Sequence, residues 1–225
     1  MAQNQGNAKN ILVGASPLFL SNVDITDTNY VENAEPGSVD AGAYVSGTSY
    51  TTTLNGIDSG DFYYRNVGFT NNGLQITYNP TYDSVTVDQL LDTAKLFKSA
   101  MEVMIATEMS EGTLENVLVV FGQQSSTLVS AGSGQTATDT LGLDAGALGE
   151  APTERQLIAV GQAPTSEATA TERIYYARRV LSVQQSQFSL ARTTPTTFPV
   201  TFRLLPDVNK PNEEYGKIID RVLTV

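Results

Sequence analysis

Apolar and polar positions alternate along most of this chain. "LQITYN" sets Leu74, Ile76 and Tyr78 on one side of an extended segment, and "SVTVD" alternates in the same way. In "LFKSAMEVMIATE" the residues Met101, Val103 and Ile105 share a parity, as do Phe198, Val200, Phe202 and Leu204 in "FPVTFRLLP". A period of two marks a strand with one buried face. "RQLIAVG", "RIYYARRVL" and "QSQFSLA" read as further strands. "FYYRNVGF" is expected to form a hairpin with "LQITYN" through Asn71-Asn72-Gly73, a strong turn signal.

One stretch breaks the rule: "EMSEGTLENVLVVFG", Glu108 to Gly122. Ser110 is a candidate N-cap, Glu111 puts negative charge at the positive end of a helix dipole, and Gly122 stands where a left-handed C-cap is expected. Leu114, Val117, Leu118 and Phe121 follow the i, i+3, i+4, i+7 spacing of a buried stripe, which predicts a helix over about 110–121. Burying those four side chains contributes roughly 6–12 kcal/mol gross, at about 1.5–3 each. That suffices to dock a helix too short to be stable alone. Helical geometry turns Val119 away from this stripe and marks it as a candidate subunit contact.

The flanks are less patterned. Residues 1–25 carry no sustained period and read as an N-terminal arm. Residues 26–61 are acidic and rich in Gly, Ser and Thr, with a short strand at "AYVSGTSYTTTL"; they read as a loop or hairpin extension completed by another subunit. Gly122 to Glu154 is small and polar, and ordered turns with a hairpin anchored by Leu128, Val129, Leu141, Leu143 and Leu148 are expected there. The predicted architecture is a single domain over 1–225, mainly β. It has a β-sandwich or half-barrel core within 62–225, one flanking helix and long loops.

Composition narrows the chemistry. The chain has 225 residues, 24 Asp and Glu against 13 Lys and Arg, and a formal charge of −11. Nine of the 13 basic residues lie at or after Arg155, and none occurs from Ser99 to Glu154. A nucleic-acid binder needs clustered positive charge, and this distribution offers none. There is no His, Cys or Trp, which removes His-based triads, thiol nucleophiles, disulfides and imidazole or thiolate metal sites. No phosphate-loop or nucleophile-elbow motif occurs. Two acidic clusters, Asp24, Asp27, Glu32 and Glu35, then Asp58 with Asp61, lack the order of a calcium loop and read as solvated loops. No catalytic residue, cofactor or metal is expected. The opening "MAQNQGNAKNILVGASPLFL" has no unbroken apolar core of a secretory signal, and no run reaches the length of a membrane span.

The order of motifs from Val67 to Gly122 resembles the major tail tube protein of long-tailed, siphovirus-like bacteriophages. The similarity lies in a Gly68–Gly73 segment before an apolar alternation, the strand "VTVDQ" ending at Gln89, a long strand, and a helix start with Glu111 and "TLEN" at Thr113–Asn116. "FPVTFRLLPDVNKPNEEYGKIIDR" is similar to that family's late strand and closing segment. Together these cover about 80 of the 225 residues. The resemblance implies a virion protein made in the host cytoplasm, a homo-oligomer of stacked rings with six members, the usual number in that family. Sheets would join between subunits into a barrel through which DNA leaves without binding. It also implies tape measure, tail terminator and distal tail proteins as partners. Were "FKSAMEVMIATE" and "FPVTFRLLP" barrel strands, the alternation would put Glu102, Thr201 and Arg203 on the lumen side, with Glu102 and Arg203 able to pair. The alternatives are a capsid-decorating or adhesin-like virion protein and, less favoured, a carboxylate-based hydrolase.

Overall fold

The computed structural model describes residues 14, 16–27, 30, 49–50, 64–90, 92–132, 138–164, 171–184, 186–190 and 192–222, and the structural statements below concern these alone. The fold is mainly β with one α-helix. Its strands are β1 (Leu18–Ser21), β2 (Ser49–Tyr50), β3 (Tyr64–Asn66), β4 (Thr70–Thr86), β5 (Thr93–Met109), β6 (Leu128–Ala131), β7 (Thr138–Leu141), β8 (Arg155–Gln162), β9 (Thr171–Ser182), β10 (Phe198–Leu204) and β11 (Gly216–Val222). The helix, α1, spans Leu114–Val120. Nine strands join in one antiparallel sheet in the order β2-β3-β1-β8-β9-β10-β5-β4, with β11 also on β9, while β6 and β7 form a separate ribbon.

The sheet's centre is covered on both faces. Leu18, Leu20, Leu157 and Ala159 enter one apolar cluster, and Phe19, Ile158 and Val160 enter another with Tyr64, Ile174 and Tyr176. This corrects the arm predicted over 1–25: Leu18–Ser21 is fully buried between β3 and β8. A strand buried on both sides reads as a continuous apolar run, so "LFL" shows no period. Residues 1–13, 31–48 and 51–63 lie outside the described residues, as do the completion of the 26–61 extension by a neighbour and the carboxylates Glu32, Glu35, Asp58 and Asp61.

The hairpin expected between "FYYRNVGF" (62–69) and "LQITYN" (74–79) does not form among the described residues. β3 pairs with β1, and β4 pairs with β5. Asn71-Asn72-Gly73 is a bulge inside β4: the register jumps between Asn71 and Gln75, and Asn72 and Gly73 take positive φ of 59° and 68°. Residues that tolerate left-handed backbone serve a bulge as well as a turn, so the dipeptide signal cannot tell them apart. "QSQFSLA" is not a strand either; Phe188 instead packs its ring 4.7 Å from Phe198. The expected hairpin after the helix is present as β6 and β7, with Leu128 paired to Leu141 against the core. Val129, Leu143 and Leu148, however, are exposed.

The helix is shorter than predicted. β5 continues through Met109, which pairs with both Thr70 and Phe198, so Glu108 belongs to the sheet. Thr113, not Ser110, is the N-cap, its hydroxyl accepting from the Asn116 amide at 3.3 Å. Leu118 is buried and Leu114 and Val117 are half-buried, as the stripe predicts, but Phe121 is 38% exposed. Val119 is 3% exposed and lies in the core, which removes it as a subunit contact. The cause is packing on two sides: α1 touches β10 beneath and the β6–β7 ribbon beside it, so its buried face is wider than one stripe.

A buried polar network ties the helix to the strand connection at 66–69. The Asn116 side chain donates to the carbonyls of Val67 (2.8 Å) and Glu111 (2.9 Å) and accepts from Arg65 at 2.6 Å. The Glu111 carboxylate accepts the Phe69 amide at 3.0 Å. Gly68, at φ 84°, leaves room for that carboxylate, because a Cβ there would lie 2.0 Å from Glu111 Cδ. A second clamp holds β1 to β8. Arg155 donates to the Ser21 carbonyl (3.1 Å) and the Ser125 hydroxyl (3.0 Å) and lies 3.7 Å from Asp24. Asp24 is therefore buried and paired, not part of a solvated cluster.

Candidate assembly surface

β4 and β5 are each 17 residues long, far longer than the body that supports them. β10 pairs with β5 only from Met109 to Met104. The stretch of β5 from Thr93 to Val103 therefore runs past its last β10 partner, about 35 Å of strand at ~3.3 Å per residue. Over this distance β4 and β5 form a two-stranded ribbon. The Tyr215 hydroxyl reaches its root at the Met101 carbonyl (3.4 Å), and beyond that point the residues from Thr81 to Thr86 and from Thr93 to Ala100 are exposed. An isolated ribbon of two strands is marginal in water. β4 also stands at the end of the sheet order, so its outer flank is an open edge.

The two faces of the ribbon differ. Cross-strand partners share a face, and the register pairs Ile76 with Ile105 and Tyr78 with Val103, both core positions. The core face therefore continues outward into Ile76, Tyr78 and Tyr82. Where Thr81 pairs with Ala100 and Tyr82 with Lys98, β5 bulges at Ser99, and Lys98 and Leu96 come onto the same face. This side is apolar and aromatic yet open: Tyr78 is 65% exposed, Tyr82 58% and Leu96 64%. Lys98 Nζ sits 5.9 Å from the centre of the Tyr78 ring.

The opposite face is polar next to the body and farther out carries Phe97 and Val85, paired with Asp83 and Lys95. Gln75, Thr77 and Asn79 pair with Ala106, Met104 and Glu102. Across β10 the same face continues through Thr201, opposite Ala106, and Arg203, opposite Met104. The three residues singled out by alternation thus lie together, and Arg203 Nη1 is 3.8 Å from Glu102 Oε1. Phe198, Val200, Phe202 and Leu204 are buried on the other side, as their parity predicts. The pair is half-exposed, so its energetic contribution is small, at about 0–1 kcal/mol.

Sequence reasoning missed the length of the ribbon, although part of the signal was present: Leu74, Ile76, Tyr78 and Tyr82 share one parity, which Val85 and Val87 then leave. Among the described residues no group of three or more His, Cys, Asp or Glu is placed to hold a metal ion, and no helix is long and apolar enough to cross a membrane. No known protein family matches the chain, and no curated protein matches it in sequence.

Proposed function

We propose that this protein is a structural subunit that self-associates through its ribbon and open sheet edges, as the major tail tube subunit of a long-tailed bacteriophage. The observation that carries this reading is the free-standing β4–β5 ribbon with a bare aromatic face. Apolar surface of this kind on a projecting element is a docking surface, and an open, long edge strand invites pairing with another chain. A contact between different surfaces of identical copies generates rings where the rotation closes and filaments where it does not.

The tube reading accounts for the two-faced ribbon. Neighbouring subunits cover the aromatic face, the polar face carrying Glu102, Thr201 and Arg203 lines a channel, and sheets join between subunits into a barrel. The acidic composition repels DNA phosphates and keeps the passing DNA unbound. Tape measure, terminator and distal tail proteins would close the ends of such a tube inside the virion.

Negative-stain electron microscopy of the purified full chain tests the proposal. Hollow tubes or stacked rings are expected. Discrete particles of fixed size would favour a capsid-decorating protein, and a monomer at all concentrations would overturn the assembly reading.

A further inference from the structure

We infer that the aromatic face of the β4–β5 ribbon seats in the groove at the C-terminal end of α1 on a second copy of this chain; the inference rests on the self-assembly reading above. The ribbon offers an apolar and cationic surface: Tyr78, Tyr82 and Leu96 around Lys98, with Lys95 on its other face. Among the described residues neither lysine has a carboxylate partner, whereas Arg155, Arg173, Arg178, Arg179, Arg203 and Lys217 all do.

The groove has the complementary character. It is a depression of about 300 Å³ between the helix end and the loop after β7, floored by Phe121 and walled by Ala145, Asp144 and Glu150. Leu143 and Leu148 stand exposed beside it. No Lys or Arg occurs anywhere from Ser99 to Glu154, so neither carboxylate is neutralised from within its own segment. Their hydrogen bonds are to amides: Asp144 accepts from Gly146, and Glu150 from Ala147 and the Gln124 side chain. Each leaves acceptor capacity for an ammonium group. The groove is rigid, because Gln123 closes a two-way hydrogen-bond link with the Asp144 backbone.

Connectivity makes the contact intermolecular. Four residues separate the end of β5 at Met109 from the start of α1 at Leu114, so the helix and its groove lie at the end of the ribbon away from the tip. The ribbon points outward by about 35 Å and cannot fold back onto its own groove without breaking the continuous strand by which β5 pairs with both β4 and β10. A ribbon entering a different surface of the next copy is a head-to-tail contact, repeated without exhausting itself. Charge complementarity then selects the register and speeds encounter, while the aromatic residues supply most of the hold.

The absence of native cysteine gives a clean test. The full chain carrying Leu96→Cys together with Ala145→Cys, mixed under mild oxidation, is expected to give a ladder of covalent multimers, which either single variant does not. Lys98→Glu should weaken self-association about tenfold or more in sedimentation or light scattering, and adding Asp144→Lys with Glu150→Lys should restore it. Circular dichroism on each variant separates loss of docking from loss of fold; a variant that is folded but assembles as wild type overturns the inference. A wild type that assembles while the double-cysteine chain gives no ladder, or gives only an internally bridged monomer, overturns the docking and leaves the assembly reading standing. A wild type that never assembles removes both.

Discussion

Asn116 is the side chain on which the helix depends most. It is 1% exposed, satisfies two carbonyls, and receives the Arg65 guanidinium. Burial, and then the nearby Arg155, work against the Arg65 charge while Glu115 favours it, so loss of the Asn116 oxygen takes a 2.6 Å hydrogen bond from an already desolvated cation. Asn116→Ala is expected to lower stability by about 2–4 kcal/mol in chemical denaturation, with the helix signal lost in the same transition. Asp24 makes a pH-dependent contribution. Burial raises its pKa, but hydrogen bonds from Thr26 and Ser125 outweigh burial and hold the carboxyl below its ordinary 3.8. Its ionised form is thus favoured by folding, so the stabilisation is fully present above 3.8 and fades as pH falls through the lowered folded value. Asp24→Asn should cost about 2–4 kcal/mol at neutral pH, because Arg155 stays buried beside it. The gap between the variant and wild-type urea midpoints should close as the solution is taken below pH 3.8; a gap independent of pH would show that Asp24 acts through shape alone.

Among the elements, the β4–β5 ribbon has sequence properties and surroundings that disagree most. Its alternation is that of a strand with one buried face, yet nothing among the described residues buries Tyr78, Tyr82 or Leu96. Replacing Tyr78 and Tyr82 together with Ser should leave the unfolding midpoint of the isolated chain within about 0.5 kcal/mol, since exposed sites contribute little. Assembly should fail, because each aromatic anchor in an interface contributes on the order of 2 kcal/mol. Unfolding curves and electron micrographs of the same preparation separate the two effects. By contrast, β11 is held by its surroundings. Arg173 pairs with Asp220 by two bonds of 2.6 Å, Arg178 holds Glu213 at 2.8 Å, and Gly216 at φ 135° brings its backbone close to the Tyr176 carbonyl. A Cβ at 216 would stand 1.9 Å from that oxygen. Gly216→Ala should therefore release the β9–β11 ladder, visible as faster amide exchange from Gly216 to Asp220.

For the molecule as a whole, the arrangement of faces matters more than the total charge of −11. If the polar face lines a channel, Glu102→Lys should leave tubes intact, since a half-exposed position tolerates the change, but it would bring positive charge beside Arg203 into the path of DNA. Ejection from well-formed Glu102→Lys virions should be slower than from wild type. Unchanged ejection kinetics would place Glu102 on the outer wall.

Much of this was legible in the sequence. The period of two identified β5 and β10 and assigned their buried parity, because side-chain alternation is a local property of extended backbone. It also put Glu102, Thr201 and Arg203 on one face before any partner strand was known. β8 and β9 were legible as strands without a parity, and Leu157 to Val160 in β8 is buried on both faces. The helix expected over about 110–121 was legible in kind but not in extent, since it spans Leu114–Val120. Its start depended on how far β5 stayed paired to Phe198 and Thr70, residues distant along the chain. β1 was missed because a strand buried on both faces has no period to read, and Asn71–Gly73 was misplaced because bulges and turns use the same residues. Val119 and Phe121 exchanged places because α1 packs against a ribbon as well as a sheet. Local pattern determines which face of an element is apolar; only the tertiary structure decides whether that face is covered, since coverage is a property of neighbours. In the β4–β5 ribbon, the chain writes an apolar face that none of its described residues covers.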